Sequence, residues 1–244
     1  MLDLPPLALV FPGVFVLAAE QCLFALDFDF EATAGSTARL TSVHCVSSGS
    51  VASLLWFGRR DEALAQEARD LSLQLPARLA STWCWMHVLA ELRTMALAAL
   101  WRHRAALDGA LASGPPLYCY FYERQRQRRR RVRMRTTEEA LEGVLRTTSL
   151  PFHEGLLHRE AWDGIAVTWA DLAEDVVLVA PATSDVDVIS LAMGLRLPAL
   201  KAELARRPPG WSCVPSSRLG MAPEFHSRAL AFMAWTHAIK RRSP

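Results

Sequence analysis

The sequence lacks the short patterns that mark several large classes of binding protein and enzyme. It has no Walker or dinucleotide-binding glycine fingerprint, no CxxC pair and no internal repeat. Proteins that bind nucleotides through those loops, and zinc sites built on CxxC pairs, are therefore excluded. Lysine is almost missing as well, because 25 of the 27 basic residues are arginines.

Signals for disulfide or metal chemistry are missing too. The five cysteines lie 23 to 94 residues apart in apolar surroundings, at Cys22, Cys45, Cys84, Cys119 and Cys213. This spacing predicts reduced, buried thiols rather than a disulfide framework. The histidine pairs His87/His103 and His153/His158 have neither i, i+4 spacing nor nearby cysteine ligands. We therefore expect no metal ion and no other cofactor.

No uninterrupted hydrophobic run is long enough to predict a membrane span. The apolar stretch from Leu4 to Leu26 is interrupted by three prolines and by Glu20 and Gln21. Asp3 stands where a signal peptide carries positive charge. A buried strand followed by a buried helix explains this stretch better than a signal or a span. We expect a cytoplasmic protein whose contact with membranes, where it occurs, is peripheral.

The 244 residues, 51% of them hydrophobic, are enough for one domain with a buried core. Apolar runs predict strands at Leu7–Phe11, Leu40–Val46, Leu117–Tyr122, Arg129–Arg135 and Val176–Ala180. Helical patterns occupy Val14–Leu26, Val51–Trp56, Asp61–Leu75, Ser81–Leu111, Glu138–Arg146, Ile189–Arg206 and Glu224–Lys240. Asp61 is a predicted helix cap, and Thr136 and Glu139 are spaced as a capping box. Pro76 and the pair Asp108-Gly109 are expected to end helices. The alternation predicts a single α/β domain over residues 1–244 with a mainly parallel sheet and a helical part over 182–244.

Ser47 lies where a predicted strand meets a predicted helix, in the segment Val43–Ser53. A serine at such a turn can project its hydroxyl away from the sheet as a nucleophile, while the next N–H, that of Ser48, faces a developing oxyanion. Gly49 supplies the small residue two positions later, and Cys45 stands two positions earlier, where glycine is usual. An ordinary turn in which serine caps the helix is the alternative, and the segment alone leaves both readings open.

In order and spacing, the motifs of this chain resemble those of the patatin-like phospholipase family. In that family a first strand leads into a glycine-bearing oxyanion loop, a serine turn follows, and an Asp-Gly-Gly signature comes later. The corresponding segments here are Leu7–Leu17, Val43–Ser53 and Ala161–Ile165. The similarity runs from about Leu7 to at least Pro181, and it implies a three-layer α/β/α domain around a mainly parallel central sheet.

The resemblance implies acyl-ester hydrolysis by a Ser–Asp dyad that uses no histidine. Ser47 would attack the ester carbonyl, and Asp163, which precedes Gly164, would accept and return the proton. Backbone N–H groups around Gly13 and Val14 would hold the oxyanion. The implied substrate is a lipid or another apolar ester.

Three positions depart from the family pattern, because Val16, Cys45 and Ile165 stand where the family has glycine. A β-branched residue restricts the backbone where it must approach an oxyanion closely. A catalytically inactive patatin-like protein that serves as a binding or scaffolding module therefore stays open as an alternative. A Ser…Asp…His triad with His226 or His237 is a further alternative, although both histidines fit ordinary positions of the last predicted helix.

Eight arginines are concentrated between Arg124 and Arg135. Because the whole chain carries +2, the remainder without them carries −6. An acidic domain with a nucleic-acid-binding arm is the first hypothesis. The family pattern instead places the run in a strand pair, with alternate residues on opposite faces: Val132 and Met134 on one, Arg131, Arg133 and Arg135 on the other. Peripheral contact with anionic lipid headgroups is then favoured over nucleic acid.

Overall fold

The structure is a computed structural model, which describes residues 6–11, 18–28, 39–80, 85–126, 128–149, 157–163, 175–178 and 212–213. Its strands are β1 (Pro6–Phe11), β2 (Arg39–Val46), β3 (Leu117–Glu123), β4 (Arg128–Met134), β5 (Ala161–Asp163), β6 (Asp175–Leu178) and β7 (Ser212–Cys213). Its helices are α1 (Ala18–Asp27), α2 (Gly49–Gly58), α3 (Glu62–Ala80), α4 (Trp85–Arg102), α5 (Arg104–Ser113) and α6 (Thr137–Thr147).

The strands form one mainly parallel sheet, as the alternation of strands and helices predicts. The strand order is β4-β3-β2-β1-β6-β7, and β5 pairs with β3 outside this path. The four pairs from β3 to β7 are parallel, whereas β4 and β5 both run antiparallel to β3. The chain therefore has an α/β fold with an antiparallel strand at the described edge of the sheet.

The centre of the sheet is built from strands that are buried on both faces. Leu9 and Phe11 of β1 are fully buried, and so is Val43 of β2. Helix α2 is apolar around its whole circumference, and nine of its ten residues are buried. A helix that is hydrophobic all round belongs in a core, which explains why no charge occurs between Val46 and Arg59.

Two helix boundaries follow the predicted capping residues. Asp61 caps α3, because its Oδ1 accepts a hydrogen bond from the Leu64 N–H at 3.0 Å. Thr136 caps α6, because its Oγ1 accepts from the Glu139 N–H at 3.2 Å. The Glu139 carboxylate accepts in return from the N–H of Arg135 at 2.8 Å, one residue before the usual donor of a capping box.

Three predictions about helix ends are wrong. Helix α3 does not stop at Pro76 but continues to Ala80. Packing outweighs the hydrogen bond that the proline removes, because Leu75 is buried and Arg78 beyond it reaches Glu91 of α4 at 2.5 Å. The pair Asp108-Gly109 does not end a helix either. It lies inside α5, where Asp108 accepts a hydrogen bond from the Thr137 N–H at 2.6 Å.

The predicted helix Ser81–Leu111 is also wrong, because the structure has two helices here, separated at His103. The backbone of His103 leaves helical geometry, with φ −98° and ψ 19°. Its imidazole is anchored across to the start of α3, with Nδ1 3.2 Å from Asp61 Oδ2 and Nε2 3.5 Å from Glu67 Oε2. A contact between side chains about forty residues apart therefore breaks the local helical pattern.

Among the helices that the structure describes, none combines the length and the apolarity needed to cross a bilayer. The predicted elements Ile189–Arg206 and Glu224–Lys240, and with them His226 and His237, lie outside the described residues.

Replacing Asp61 by alanine should destabilise the protein by about 1 kcal/mol, because α3 loses its cap. The Leu64 N–H bond, helped by His103, holds the pKa of the Asp61 carboxyl below its ordinary value. A depressed pKa in the folded state means that the carboxylate stabilises the fold above about pH 4 and loses this effect as pH falls through the folded-state pKa.

Urea unfolding of wild type, Asp61→Ala and Asp61→Asn at pH 7 and pH 3 measures the contribution of the Asp61 cap and its dependence on pH. Asp61→Asn should keep most of the capping effect and lose the part of the pH dependence of stability that the Asp61 carboxylate contributes. Asp70→Ala, on an exposed position of the same helix, is the matched control. Equal stability of Asp61→Ala and Asp70→Ala at pH 7 would contradict the assignment of the cap.

Candidate functional site

Ser47 occupies the turn between β2 and α2, as the sequence predicts, and its backbone is unusual. Its φ is +53°, and within the described part of the chain no other non-glycine residue has a positive φ. The left-handed conformation costs an L-residue about 1–2 kcal/mol, because Cβ approaches the following carbonyl oxygen. A strained serine between a strand and a helix is the geometry of a nucleophile elbow.

The strained turn is held by hydrogen bonds on both sides of Ser47. Its N–H donates to Thr147 Oγ1 at 2.8 Å, and the Thr147 hydroxyl donates to the carbonyl of Tyr120 at 2.6 Å. Its carbonyl accepts from the N–H and the hydroxyl of Ser50, at 3.0 and 2.5 Å. Ser47 is 8% exposed and Thr147 is fully buried. Buried partners therefore fix the conformation that Ser47 alone would not adopt.

The amino end of α2 begins directly after Ser47. Ser48 is the first flanking residue of the helix, with φ −59° and ψ −25°, and its side chain makes no capping bond. Unpaired N–H groups and the helix dipole give such an end a partial positive charge. Because the Ser47 N–H is bound to Thr147, the Ser48 N–H is the donor of this turn that fits an oxyanion. Gly13 and Val14, the other expected donors, lie outside the described residues.

The small residues that flank the serine are tightly enclosed. Gly49 is buried at the start of α2. Cys45 is 2% exposed, and its thiol donates to the carbonyl of Tyr118 on β3 at 3.5 Å. The cysteine that replaces the usual glycine is therefore accommodated between β1 and β3 without disturbing the turn.

The thiols of Cys22, Cys45 and Cys119 are buried, as the spacing of the cysteines predicts, and none of these three is in a disulfide. Burial raises the pKa of Cys22 to about 12, so this thiol is inert as a nucleophile. The side chains of Cys84 and Cys213 are outside the described part. In that part, no group of three or more histidine, cysteine or acidic residues could hold a metal ion.

The register of the sheet places the backbone of Asp163 beside the serine turn. Strand β4 pairs with all of β3 from Leu117 to Glu123 and so occupies one edge of it. On the other edge β2 covers β3 only as far as Tyr120, which pairs with Val46. Strand β5 pairs with the next three residues of β3, and Asp163 is opposite Phe121.

Because a strand has only two edges, β5 must continue along the edge that β2 leaves. The two strands run in opposite directions relative to β3, so their carboxyl ends face each other. Val46 and Asp163 occupy successive register positions, and Ser47 follows Val46 at that junction. The structure therefore brings two residues 116 positions apart in the sequence to the same point of the sheet. Gly164 lies outside the described residues.

His44, the histidine closest to Ser47 in sequence, packs within the sheet. It is 2% exposed, and its ring is stacked on Tyr118 with 5.2 Å between the centroids. Its Nδ1 lies 2.7 Å from the Tyr120 hydroxyl and its Nε2 lies 2.9 Å from Ser42 Oγ. Both ring nitrogens are engaged within the sheet, so His44 has no nitrogen left to serve as a general base.

The sequence does not predict that Thr147 contacts the serine turn or that its hydroxyl bonds to the carbonyl of Tyr120. Thr147 is the last residue of α6 and lies 100 positions from Ser47. Nothing in its neighbourhood distinguishes it from Thr148, whose hydroxyl bonds back to the Val144 carbonyl of its own helix. Only the tertiary arrangement separates the two threonines.

Replacing Thr147 by valine should destabilise the protein by about 1–3 kcal/mol, because the Ser47 N–H is left buried without a partner. Thr147→Ser keeps the hydroxyl, so it should lose clearly less stability than Thr147→Val. Thr148→Val is the neighbouring control, because it removes a hydroxyl that does not contact the turn. Urea unfolding measures the stability of all three variants. A loss in Thr147→Val that is no larger than the loss in Thr147→Ser would contradict the role assigned to the hydroxyl.

Comparisons with known proteins assign no family: no protein-family model matches the chain, and no curated protein matches it significantly. The function is therefore inferred from the geometry of the site and from the motifs of the sequence.

Proposed function

We propose that this protein is a serine acyl hydrolase of patatin-like type, which cleaves a carboxylic ester through Ser47 and Asp163. The observation that carries the proposal is the left-handed serine at +53° between β2 and α2, with Asp163 at the facing end of β5. A nucleophile and a carboxylate base are the two side chains that a Ser–Asp dyad needs. The three-layer patatin-like architecture is part of the same proposal.

In the proposed reaction the Ser47 hydroxyl attacks the ester carbonyl carbon while its proton passes to the Asp163 carboxylate. The tetrahedral intermediate places its negative oxygen at the N–H groups of Ser48 and of the segment around Gly13 and Val14. Collapse expels the alcohol, which takes the proton from Asp163. A water molecule then attacks the acyl-serine, Asp163 again accepts the proton, and the carboxylic acid leaves as Ser47 recovers its hydrogen.

The surroundings of Ser47 support stabilisation of an oxyanion. The residue is nearly buried, so bulk water does not screen the charge that develops there. The amino end of helix α2 points at the turn, and because nine of its ten residues are buried, the helix dipole lies in a largely apolar medium. Fixed donors in such a medium stabilise a transition state more than mobile water does.

The second candidate is a catalytically inactive patatin-like protein that binds without hydrolysis. The replaced glycines favour it, although Val16 and Ile165 lie outside the described residues. At Cys45 the enclosed thiol and the intact turn beside it remove one of the three objections to an active enzyme. The hydrolase is therefore the better-supported proposal, and a lipid or another apolar ester is its substrate class.

Ser47 should react with a fluorophosphonate probe, and the labelling should disappear in Ser47→Ala. Asp163→Asn keeps the shape of the base but removes its proton affinity, so ester hydrolysis should fall by about 10²–10⁴-fold. Ser48→Ala is the matched control, because it leaves the backbone N–H in place and removes only the adjacent hydroxyl. If wild type labels no better than Ser47→Ala and hydrolyses no aryl or lipid ester, the protein is the inactive binding module.

A dyad also predicts that no histidine is required. The variants His226→Phe and His237→Phe should keep their kcat/KM for the same ester, because neither imidazole takes part in proton transfer. A loss of about 10²-fold or more in one of them, with an unchanged melting temperature, would assign the chain a Ser…Asp…His triad instead.

A further inference from the structure

The densest charge on the molecule lies along one edge of the sheet. We define the arginine edge as the turn after β3 together with β4 and Arg135, which contains the eight arginines from Arg124 to Arg135. Strand β4 is the end of the strand order and pairs only with β3 in the part of the sheet that is described. Residues 117–135 contain a single carboxylate, Glu123, so the segment carries +7 within a chain of +2.

On one face of β4 the arginines share that carboxylate. Arg126, Arg128 and Arg130 lie 3.9, 3.6 and 3.6 Å from the oxygens of Glu123. One negative charge compensates three guanidinium groups only in part. Further along the same face, Val132 and Met134 turn towards the core, and Met134 is buried against Gly143 of α6.

The opposite face presents arginines to solvent, as the alternation in β4 predicts. Arg131 and Arg133 are exposed and pair in register with Tyr120 and Tyr118. The guanidinium of Arg131 lies 5.0 Å from the centre of the Tyr118 ring, at the distance of a cation–π contact. Arg133 has no acidic partner among the described side chains. Exposed guanidinium groups of this kind attract phosphate oxygens through their positive charge.

The aromatic rings of this face distinguish between two kinds of phosphate-bearing partner. A single-stranded nucleic acid binds such a surface by stacking its bases on open aromatic rings. Tyr120 is fully buried, and Tyr118 is already stacked on His44 at 5.2 Å and covered by Arg131. With these two rings occupied, the stretch of the arginine edge at Arg131 and Arg133 offers charge along an exposed ridge rather than a platform for bases.

We propose that the arginine edge is a docking surface for membranes that contain anionic phospholipids. Arginines project from both faces of one edge strand, so several of them can reach the headgroup layer of a flat membrane at once. An edge strand needs charge to prevent pairing with other chains, but an excess of +7 exceeds that need. The proposal does not rest on the chemistry at Ser47.

The test measures co-sedimentation of the full chain with vesicles, using Ser47→Ala so that lipid hydrolysis cannot alter them. Vesicles of phosphatidylcholine alone are compared with vesicles that contain phosphatidylserine, at low and high salt. The key variant is Arg131→Gln with Arg133→Gln. The matched control is Arg60→Gln with Arg104→Gln, which removes the same charge from exposed positions elsewhere. Equal melting temperatures show that the variants are folded.

Binding should require phosphatidylserine and weaken with salt. The loss in the key variant should be about 30-fold, since each arginine near an anionic surface contributes about a fivefold factor. The control pair should lose much less, and Arg131→Lys with Arg133→Lys should retain most of the binding. Equal losses in the key and control pairs, no binding to anionic vesicles, or tighter binding to single-stranded RNA would each overturn the proposal. None of these outcomes depends on whether Ser47 is a nucleophile.

Discussion

The hydroxyl of Thr147 joins three parts of the chain on which the site depends. It accepts the N–H of Ser47 and donates to the carbonyl of Tyr120, so α6, β2 and β3 meet in one pair of short hydrogen bonds. Without the first bond, the left-handed serine would have to bury an unsatisfied donor as well as bear its backbone strain. The conformation of Ser47 is therefore a property of the tertiary structure and not of the turn alone.

Strand β3 determines where the second half of the site is placed. Its first four residues pair with β2 and its last three pair with β5, both along the edge that faces away from β4. The length by which β3 extends beyond β2 is thus the length available for β5. That extension sets Asp163 opposite Phe121, immediately beyond Val46. A β3 shorter by three residues would leave β5 without a partner strand, and a longer β2 would displace it.

The elements that local chemistry determines were predictable, and those that distant contacts determine were not. The apolar runs at Leu7–Phe11 and Leu40–Val46 predict buried strands, and Asp61 and Thr136 predict helix starts, because each signal lies within a few residues of its effect. The break at His103 and the continuation of α3 past Pro76 depend on partners in other helices. At the site, the serine turn was predictable from its sequence, whereas the role of Thr147 was not. The strand that contains Asp163 could be placed only once the register of β3 was known.

The strain at Ser47 bears on the choice between an active and a silent site. A serine with a positive φ costs about 1–2 kcal/mol relative to glycine, which adopts the same backbone freely. A protein that used this turn only to connect β2 to α2 would gain stability by replacing the serine with glycine. The chain instead keeps the serine and surrounds it with buried partners at Thr147 and Ser50. Val16, Cys45 and Ile165 stand where the patatin-like pattern that the chain resembles has glycine. Yet among the described residues the non-glycine position with a positive φ, where glycine would relieve strain, is a serine. A turn that must present a hydroxyl requires a serine at this position in spite of the strain. The combination therefore favours the hydrolase over the binding module.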